Sequence, residues 1–230
     1  MGQLFLVRHG QASFGSANYD QLSELGTMQS RVLGEWFARC DQRFDRVVTG
    51  ALQRHRQTAD ACMAALPGAE WQADPGFNEY DHHDITIRMR PDFADPQAVR
   101  QFLAQADEPG RRYQEIFQGA MLRWMSGQFD HEYLEPWPEF RQRCIVALER
   151  LLASAGASQR IVVFTSGGTI ATLCQHLLGL PDRRMAELNW TLVNSAVTRL
   201  LFRPGQVTLN SLNNYPHLEA LGNKSAITYR

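Results

Sequence analysis

The sequence predicts an α/β fold with a mostly parallel central sheet. Two short strand-like runs, 4–7 and 46–49, are each followed by a turn and then by a helical pattern. A third run, 161–164, is the clearest buried strand in the chain and shows the same order. Strand, turn and helix in succession are typical of parallel sheets. Such folds carry their chemistry at strand ends, so the residues after each strand are the functional candidates.

Apolar periodicity and turn residues place the individual elements. Ser23 is a typical N-cap, and apolar residues three to four apart after it predict a helix to about Cys40. Gly179 is placed to end a later helix, and Pro204-Gly205 marks a hairpin turn. The small polar residues of 11–20 predict a loop. The predicted strands are 4–7, 46–49, 70–73, 161–164, 197–202 and 207–212, and the predicted helices are about 24–40, 52–59, 96–105, 111–127, 140–152 and 170–178.

Residues 80–137 are predicted to be an inserted helical segment within a single domain of residues 1–230. Prolines punctuate this segment and aromatic residues are dense in it. Many of the aromatic side chains are expected to pack the segment against itself. An aromatic inner face would favour a partly apolar ligand over a polyanion, although six arginines in the segment weaken that preference.

Composition and charge argue against several classes of protein. The formal net charge is −1 with no basic block, so nucleic acid is not an expected partner. No apolar run reaches the ~18 residues of a membrane span, so no membrane association is expected. Lys224 is the only lysine and lies in a polar tail, which argues against Schiff-base chemistry. The cysteines are expected to be reduced core thiols of a cytoplasmic protein: Cys40, Cys62, Cys144 and Cys174.

The first strand ends in a candidate anion pocket. Arg8 and His9 follow the strand, and Gly10 lets the backbone turn so that both side chains can point into one crevice. Taken alone, such a pair more often caps a strand at the surface. Arg54 falls in the first turn of the helix after the second strand, where backbone N–H groups and the helix dipole already suit phosphate.

Two motifs together resemble the histidine phosphatase superfamily, also called phosphoglycerate-mutase-like. They are Val-Arg-His-Gly at 7–10 and Leu-x-Arg-x-x-Gln-Thr within 49–59. The resemblance covers nearly the whole chain and implies a three-layer α/β/α sandwich with an inserted cap, acting as a metal-independent phosphatase with no cofactor. It implies that His9 is a nucleophile that becomes phosphorylated, while Arg8 and Arg54 grip the phosphoryl oxygens. A neutral imidazole and planar guanidinium groups suit these roles.

The resemblance also implies a carboxyl group that protonates the leaving oxygen. Glu79 is the candidate, because a carboxyl beside an anionic substrate in a partly dry cleft has reason to keep its proton near neutral pH. Asp81 is the alternative. The following His82-His83-Asp84 is predicted to be a polar turn and not a metal site, because adjacent histidines on an extended segment point in opposite directions and the spacing matches no metal-ligand pattern.

The chain departs from this family after the strand at 161–164. The family has a second histidine there, followed by glycines, and that histidine contacts the phosphate. This chain has Ser166 and Gly167 instead. The serine hydroxyl can donate one neutral hydrogen bond, and the N–H groups of the glycine-rich turn remain available to phosphate. Because charge-assisted bonds are about twice as strong as neutral ones, the departure threatens rate more than binding. Ser166→His would restore the donor if the pocket has room for the ring.

The sequence therefore predicts a phosphatase that hydrolyses a small phosphomonoester through phospho-His9. A protein that binds a phospholigand with little turnover is the second hypothesis, because of Ser166. A phosphoglycerate mutase is a third, but 77–82 does not resemble the Glu-Arg-His-Tyr-Gly stretch of those mutases. A serine hydrolase would use Ser166, Asp182 and His217 in the order of α/β-hydrolases, but it would leave both arginines without a role.

Overall fold

A computed structural model of the chain describes residues 1–13, 20–66 and 68–229. In these residues one six-stranded sheet has the strand order β3-β2-β4-β1-β5-β6. Its strands are β1 (Gly2–Arg8), β2 (Arg46–Thr49), β3 (Glu70–Ala73), β4 (Arg160–Thr165), β5 (Val197–Arg203) and β6 (Gln206–Asn214). The first four strands are parallel, and β5 pairs antiparallel with both β1 and β6. The predicted mostly parallel α/β fold is confirmed.

The helices follow the strands in the predicted alternation. They are α1 (Glu24–Arg39), α2 (Gln53–Met63), α3 (His82–Met89), α4 (Pro96–Ala104), α5 (Pro109–Met125), α6 (Trp137–Ala153), α7 (Gly167–Leu178), α8 (Asp182–Thr191) and α9 (Pro216–Glu219). Ser23 caps α1 by accepting from the N–H of Gly26, and Gly179 ends α7 in the left-handed conformation that glycine adopts without strain. The predicted loop at 11–20 lies partly, at 14–19, outside the described residues.

Burial of the central strands shows that helices cover both faces of the sheet. Successive side chains of a strand point to opposite faces, and Leu4 and Leu6 on one face of β1 are as completely buried as Phe5 and Val7 on the other. Phe5 and Val7 join a core cluster with residues of α1 and α2, including Leu33, Phe37, Ala59 and Cys62. This is the three-layer sandwich that the family resemblance implies.

The strand register brings three loop positions together at the carboxyl edge of the sheet. Arg8 of β1 pairs with Thr165 of β4, and Thr49 of β2 pairs with Phe164. The N–H of His9 donates to the carbonyl of Thr165 over 2.8 Å, and the N–H of Gly50 donates to the carbonyl of Phe164 over 3.0 Å. The residues that follow β1, β2 and β4 therefore start from one level of the sheet.

The described residues divide into two compact units. One comprises Met1–Glu79 and Cys144–Arg230 and contains the sheet, and the other is Tyr80–Arg143. Within the second unit the aromatic rings pack on one another, with ring centroids 5.2–6.0 Å apart among Tyr80, Trp124, Trp137 and Phe140. The expectation that the aromatic residues of this segment pack it against itself is confirmed for this cluster.

Two expectations from the sequence are wrong. The polar turn predicted at 82–84 is the start of helix α3, because the carboxylate of Asp81 accepts from the N–H groups of His83 and Asp84 and caps the helix. Cys40 is an exposed thiol at the end of α1, whereas the other three cysteines are buried as expected. The helices α8 and α9 were also not predicted. None of the helices in the described residues is both long and apolar enough to cross a membrane.

Candidate active site

His9 lies just beyond β1 and is held as a neutral imidazole. Its side chain is buried, with 5% exposed, and Nδ1 is 2.7 Å from the carbonyl oxygen of Gly10. A carbonyl only accepts, so Nδ1 carries the proton and the lone pair of the neutral ring is on Nε2. Burial lowers the pKa of His9 well below its usual value, and the nearby charges of Arg54 and Arg8 lower it further, whereas the bond to Gly10 opposes the shift. The ring is therefore uncharged at neutral pH.

Arg8 is fixed in place by the loop before β5. Its guanidinium Nη1 donates to the carbonyl of Leu192, and its own carbonyl accepts from the N–H of Ser195 over 3.0 Å. A Cβ at residue 167 would lie 3.4 Å from Arg8 Nε and would overlap the amide oxygen of Asn189. Gly167 thus allows the start of α7 to approach the guanidinium closely.

Arg54 lies in the first turn of α2, as predicted, and its side chain is buried. Its Nη1 donates to Oδ1 of Asp20 over 2.8 Å, and Oδ2 of Asp20 accepts from the N–H of Gln53 over 2.8 Å. The N-terminus of α2, expected to be available to phosphate, is therefore occupied by a carboxylate in this structure. The sequence analysis missed Asp20, because no local pattern in the loop at 11–20 connects it to α2.

Ser166 follows β4 and is paired with an imidazole that the sequence analysis did not single out. Its hydroxyl oxygen is 2.6 Å from Nε2 of His55, and neither residue is exposed. The ring of His55 is 5.8 Å from that of His9 between centroids, with the planes at 35°. Burial, and then the charge of Arg54, lower the pKa of His55 well below its usual value. Two neutral imidazoles therefore lie side by side at this edge of the sheet.

Gly50 makes the space in which His55 sits. A Cβ at residue 50 would overlap Nδ1 of His55 and would lie 2.8 Å from its Cε1. The signal in the sequence was present but weak: a glycine at the end of β2, followed in the next turn of helix by a histidine. In the sequence around it, His55 is only one of several polar residues in the first turn of α2.

The side chain of Glu79 lies beside the first turn of α7. Its Oε2 accepts from the N–H of Gly168 over 3.0 Å. The segment before it is tied to the same turn, since the hydroxyls of Thr165 and Thr169 donate to the carbonyls of Phe77 and Asn78 over 2.6 and 2.9 Å. The structure thus places Glu79 beside the residues that follow β4. Asp81, the alternative acid, is exposed and uses its carboxylate to cap α3.

The residues of the serine hydrolase hypothesis have other partners. Ser166 pairs with His55, as described above. Asp182 accepts from the side-chain amide of Gln175 over 2.5 Å, and Nε2 of His217 is 2.9 Å from the hydroxyl of Ser195. Among the described residues, the contacts therefore assemble no Ser-Asp-His triad at Ser166. The part of the chain that the structure describes also holds no group of three or more His, Cys, Asp or Glu side chains suited to a metal ion.

Three buried histidines are expected to make the fold sensitive to mild acid. Burial lowers the pKa of His217 to about 4, and the pKa values of His9 and His55 also lie well below 6.5. In the unfolded chain all three bind protons near pH 6.5, so the unfolded state binds more protons below that pH and the free energy of unfolding falls. As the pH is lowered, the free energy of unfolding falls by up to about 4 kcal/mol per pH unit, as long as all three histidine rings take up a proton only when the chain unfolds.

Denaturant unfolding at pH 7.0, 6.5, 6.0 and 5.5 measures this dependence. His217→Phe removes one of the three groups and should reduce the slope by about a third. A free energy of unfolding that stays constant over this range would show that the folded protein carries these rings protonated.

Comparison with known proteins adds the family. A model of the histidine phosphatase superfamily (branch 1) matches residues 4–215. The comparison with curated proteins gives no match. The fold is shared with solved structures that include a phosphoserine phosphatase from Entamoeba histolytica (19% identity, 95% of this chain and 100% of that chain, TM-score 0.63). A mycobacterial glucosyl-3-phosphoglycerate phosphatase (22%, 94% and 99%, 0.64) and a phosphoglycerate mutase from Bacillus anthracis (16%, 94% and 94%, 0.63) also share it. At these identities the likeness to solved structures shows the fold.

Proposed function

Because the chain belongs to the histidine phosphatase superfamily, branch 1, we propose that it is a metal-independent phosphatase that hydrolyses a small phosphomonoester through a phosphohistidine at His9. The observation that carries the proposal is the state of His9: an uncharged ring with its proton fixed on Nδ1, close enough to Arg8 and Arg54 for both charges to lower its pKa. A histidine can attack phosphorus only when the attacking nitrogen has its lone pair.

In the proposed reaction, Nε2 of His9 attacks phosphorus and the bond from phosphorus to the leaving oxygen breaks. The leaving oxygen takes a proton from the carboxyl of Glu79. Water then attacks phospho-His9 and gives its proton to the Glu79 carboxylate, which releases inorganic phosphate and returns His9 to its neutral form. The contact of Glu79 with the N–H of Gly168 in the turn after β4 supports this assignment.

Arg8 and Arg54 are proposed to hold the phosphoryl oxygens. Both guanidinium groups are buried at the edge that carries His9, and a planar guanidinium matches the spacing of phosphoryl oxygens. Their positive charges favour a phosphoryl group that gains negative charge toward the transition state. The N–H groups of the turn at Gly167 are proposed to add to this binding.

Ser166 is proposed to stand where other members of the family carry their second histidine. Its position after β4 and its buried hydroxyl support this assignment. The same residue favours a second candidate function, a phospholigand-binding protein with little turnover, because a neutral hydroxyl stabilises developing charge less than an imidazolium does.

We further propose that residues 80–137 form the cap insertion of a single histidine-phosphatase-like domain. The support is the order of the chain, since the unit Tyr80–Arg143 interrupts the sequence of the unit that holds the sheet. The solved structures of the Entamoeba histolytica phosphoserine phosphatase include complexes with phosphoserine and with 3-phosphoglyceric acid, both small phosphorylated acids. A small phosphomonoester is accordingly the proposed substrate class.

A panel of phosphorylated metabolites, assayed for phosphate release with and without a chelator, tests the proposal. At least one member should be hydrolysed at the same rate in both conditions. Phosphate release that stops on chelation would contradict metal independence. Transfer of the phosphoryl group to a second metabolite in preference to water would indicate a mutase, and phosphate binding without turnover on any member would favour the second candidate.

Glu79→Gln should separate leaving-group protonation from binding. Glutamine keeps an oxygen that can accept from the N–H of Gly168, but it cannot deliver a proton. We expect kcat to fall about 100-fold on alkyl phosphates and less than tenfold on aryl phosphates, whose leaving oxygen needs little protonation. Asp81→Asn is the matched control and should have no leaving-group dependence. Equal losses for Glu79→Gln on both substrate types would remove Glu79 from the acid role.

A further inference from the structure

The proposed reaction gives no role to His55, although this side chain lies among the residues that carry it. We propose that His55 is a positioning residue of the phosphate site: its Nε2–H donates to the oxygen of Ser166 and thereby commits the Ser166 hydroxyl proton to a phosphoryl oxygen bound at His9. This inference rests on the proposed function. It assigns the task of one hydrogen-bond donor to two residues acting together, His55 on α2 and Ser166 after β4.

The direction of the bond follows from the other nitrogen of the ring. Nδ1 of His55 is buried against Gly50 and has no hydrogen-bond partner among the described residues. A buried N–H without an acceptor is rarer and more costly in proteins than a buried lone pair without a donor. The neutral ring therefore keeps its single proton on Nε2, which lies 2.6 Å from the Ser166 hydroxyl. In this pair His55 is the donor and Ser166 the acceptor.

The bond to His55 leaves the Ser166 hydroxyl with one proton to donate. Serine at the N-cap of a helix ordinarily accepts from an N–H of the first turn, but the Ser166 side chain makes no such bond to α7. The N–H of Gly168 is instead taken by Glu79. The hydroxyl of Ser166 therefore does not cap α7 and is hydrogen-bonded to His55 instead.

The geometry directs this donor to the same place as His9. Arg8 and Thr165 are partners in the β1–β4 register, so His9 and Ser166 are the next residues at one level of the sheet. The His9 ring lies 5.8 Å from that of His55. A chain from imidazole to hydroxyl to phosphoryl oxygen strengthens each bond, because each donor is polarised by the one before it.

The pair also explains why a histidine at residue 166 alone would not restore the site. The ring of His55 already occupies the space next to the Ser166 oxygen, so the room that Ser166→His needs is taken. Moving the imidazole requires two changes together, His55→Ala to clear the space and Ser166→His to fill it from β4.

Two substitutions at residue 55 separate the hydrogen bond from packing. His55→Gln keeps an N–H near the position of Nε2, whereas His55→Met has a similar size and no donor. With orthovanadate as the probe in calorimetry, and the best substrate of the panel in kinetics, His55→Met and Ser166→Ala should each weaken vanadate binding about tenfold and lower kcat by a similar factor with KM nearly unchanged. His55→Gln should retain most of both.

Combining the changes tests whether the two residues act as one. The double variant His55→Met/Ser166→Ala should be no worse than Ser166→Ala, because both changes remove the same donor. The swap His55→Ala/Ser166→His should recover at least half of the activity lost in His55→Ala. Arg56→Ala, at an exposed neighbour on α2, is the control and should match the wild type.

Equal losses for His55→Gln and His55→Met would show that His55 only fills space, and additive losses in the double variant would show that the two residues act independently. Either result would overturn the inference. These results leave the proposed function intact, since it depends on His9. A wild-type protein that binds vanadate without turnover still allows the same comparison by calorimetry. A wild-type protein that binds neither phosphate nor vanadate would overturn both.

Discussion

Replacing His9 with alanine should lower phosphate release by at least about 10⁴-fold, because the variant has no nucleophile to form the covalent intermediate. Wild-type protein quenched rapidly during turnover should contain acid-labile phosphate bound to the chain, and the variant should contain none. Loss of the ring also removes the bond to the Gly10 carbonyl, so circular dichroism and thermal unfolding must show that the variant is folded.

His176→Ala is the matched control, since it removes an exposed imidazole on α7 and should change neither measurement. Wild-type turnover by the His9→Ala variant would contradict the covalent scheme. If Ser166→Ala were then inactive, the serine would be the nucleophile.

Arg54→Ala should cost about 10²- to 10³-fold in kcat/KM, more than any change at Ser166, because it removes a charged donor from the transition state. Arg54→Lys keeps the charge but loses the planar fork and should recover only part of the loss. Among the charges near His9, that of Arg54 lowers the pKa of His9 the most. Without it the pKa of His9 rises, protonated His9 cannot attack, and the acid limb of the pH profile of kcat/KM should move to higher pH.

Rates measured from pH 5 to 8 for the wild type, Arg54→Ala and Arg54→Lys provide the comparison. Arg56→Ala, two residues further along the same helix, is the control for surface charge. A loss below threefold in Arg54→Ala, with an unmoved acid limb, would remove Arg54 from the phosphate site.

The strands were predictable because their signal is local. The runs at 46–49 and 70–73 have the predicted bounds, and β1 and β4 extend the predicted runs by one or two residues at their ends. Helix α3 was not predictable from the sequence. It has only eight residues after its cap at Asp81, too few turns for a periodic pattern of apolar residues to be recognised. Short helices depend on tertiary contacts more than on their own pattern.

The candidate site was predictable where its residues lie at the ends of strands. Arg8 ends β1, and His9 and Ser166 follow β1 and β4; the end of a buried strand is visible in the sequence. His55 and Asp20 were missed because their importance depends on partners distant in sequence, at residue 166 and at the start of α2. No periodicity or spacing encodes such a pair.

The space beside Gly50 has a consequence for the evolution of this protein. A side chain at residue 50 would overlap the ring of His55, so an ancestor with alanine or serine there had no room for an imidazole in this position. Glycine at 50 must have appeared before or together with histidine at 55. Relatives that carry a side chain at residue 50 should therefore lack a histidine at residue 55 in this position.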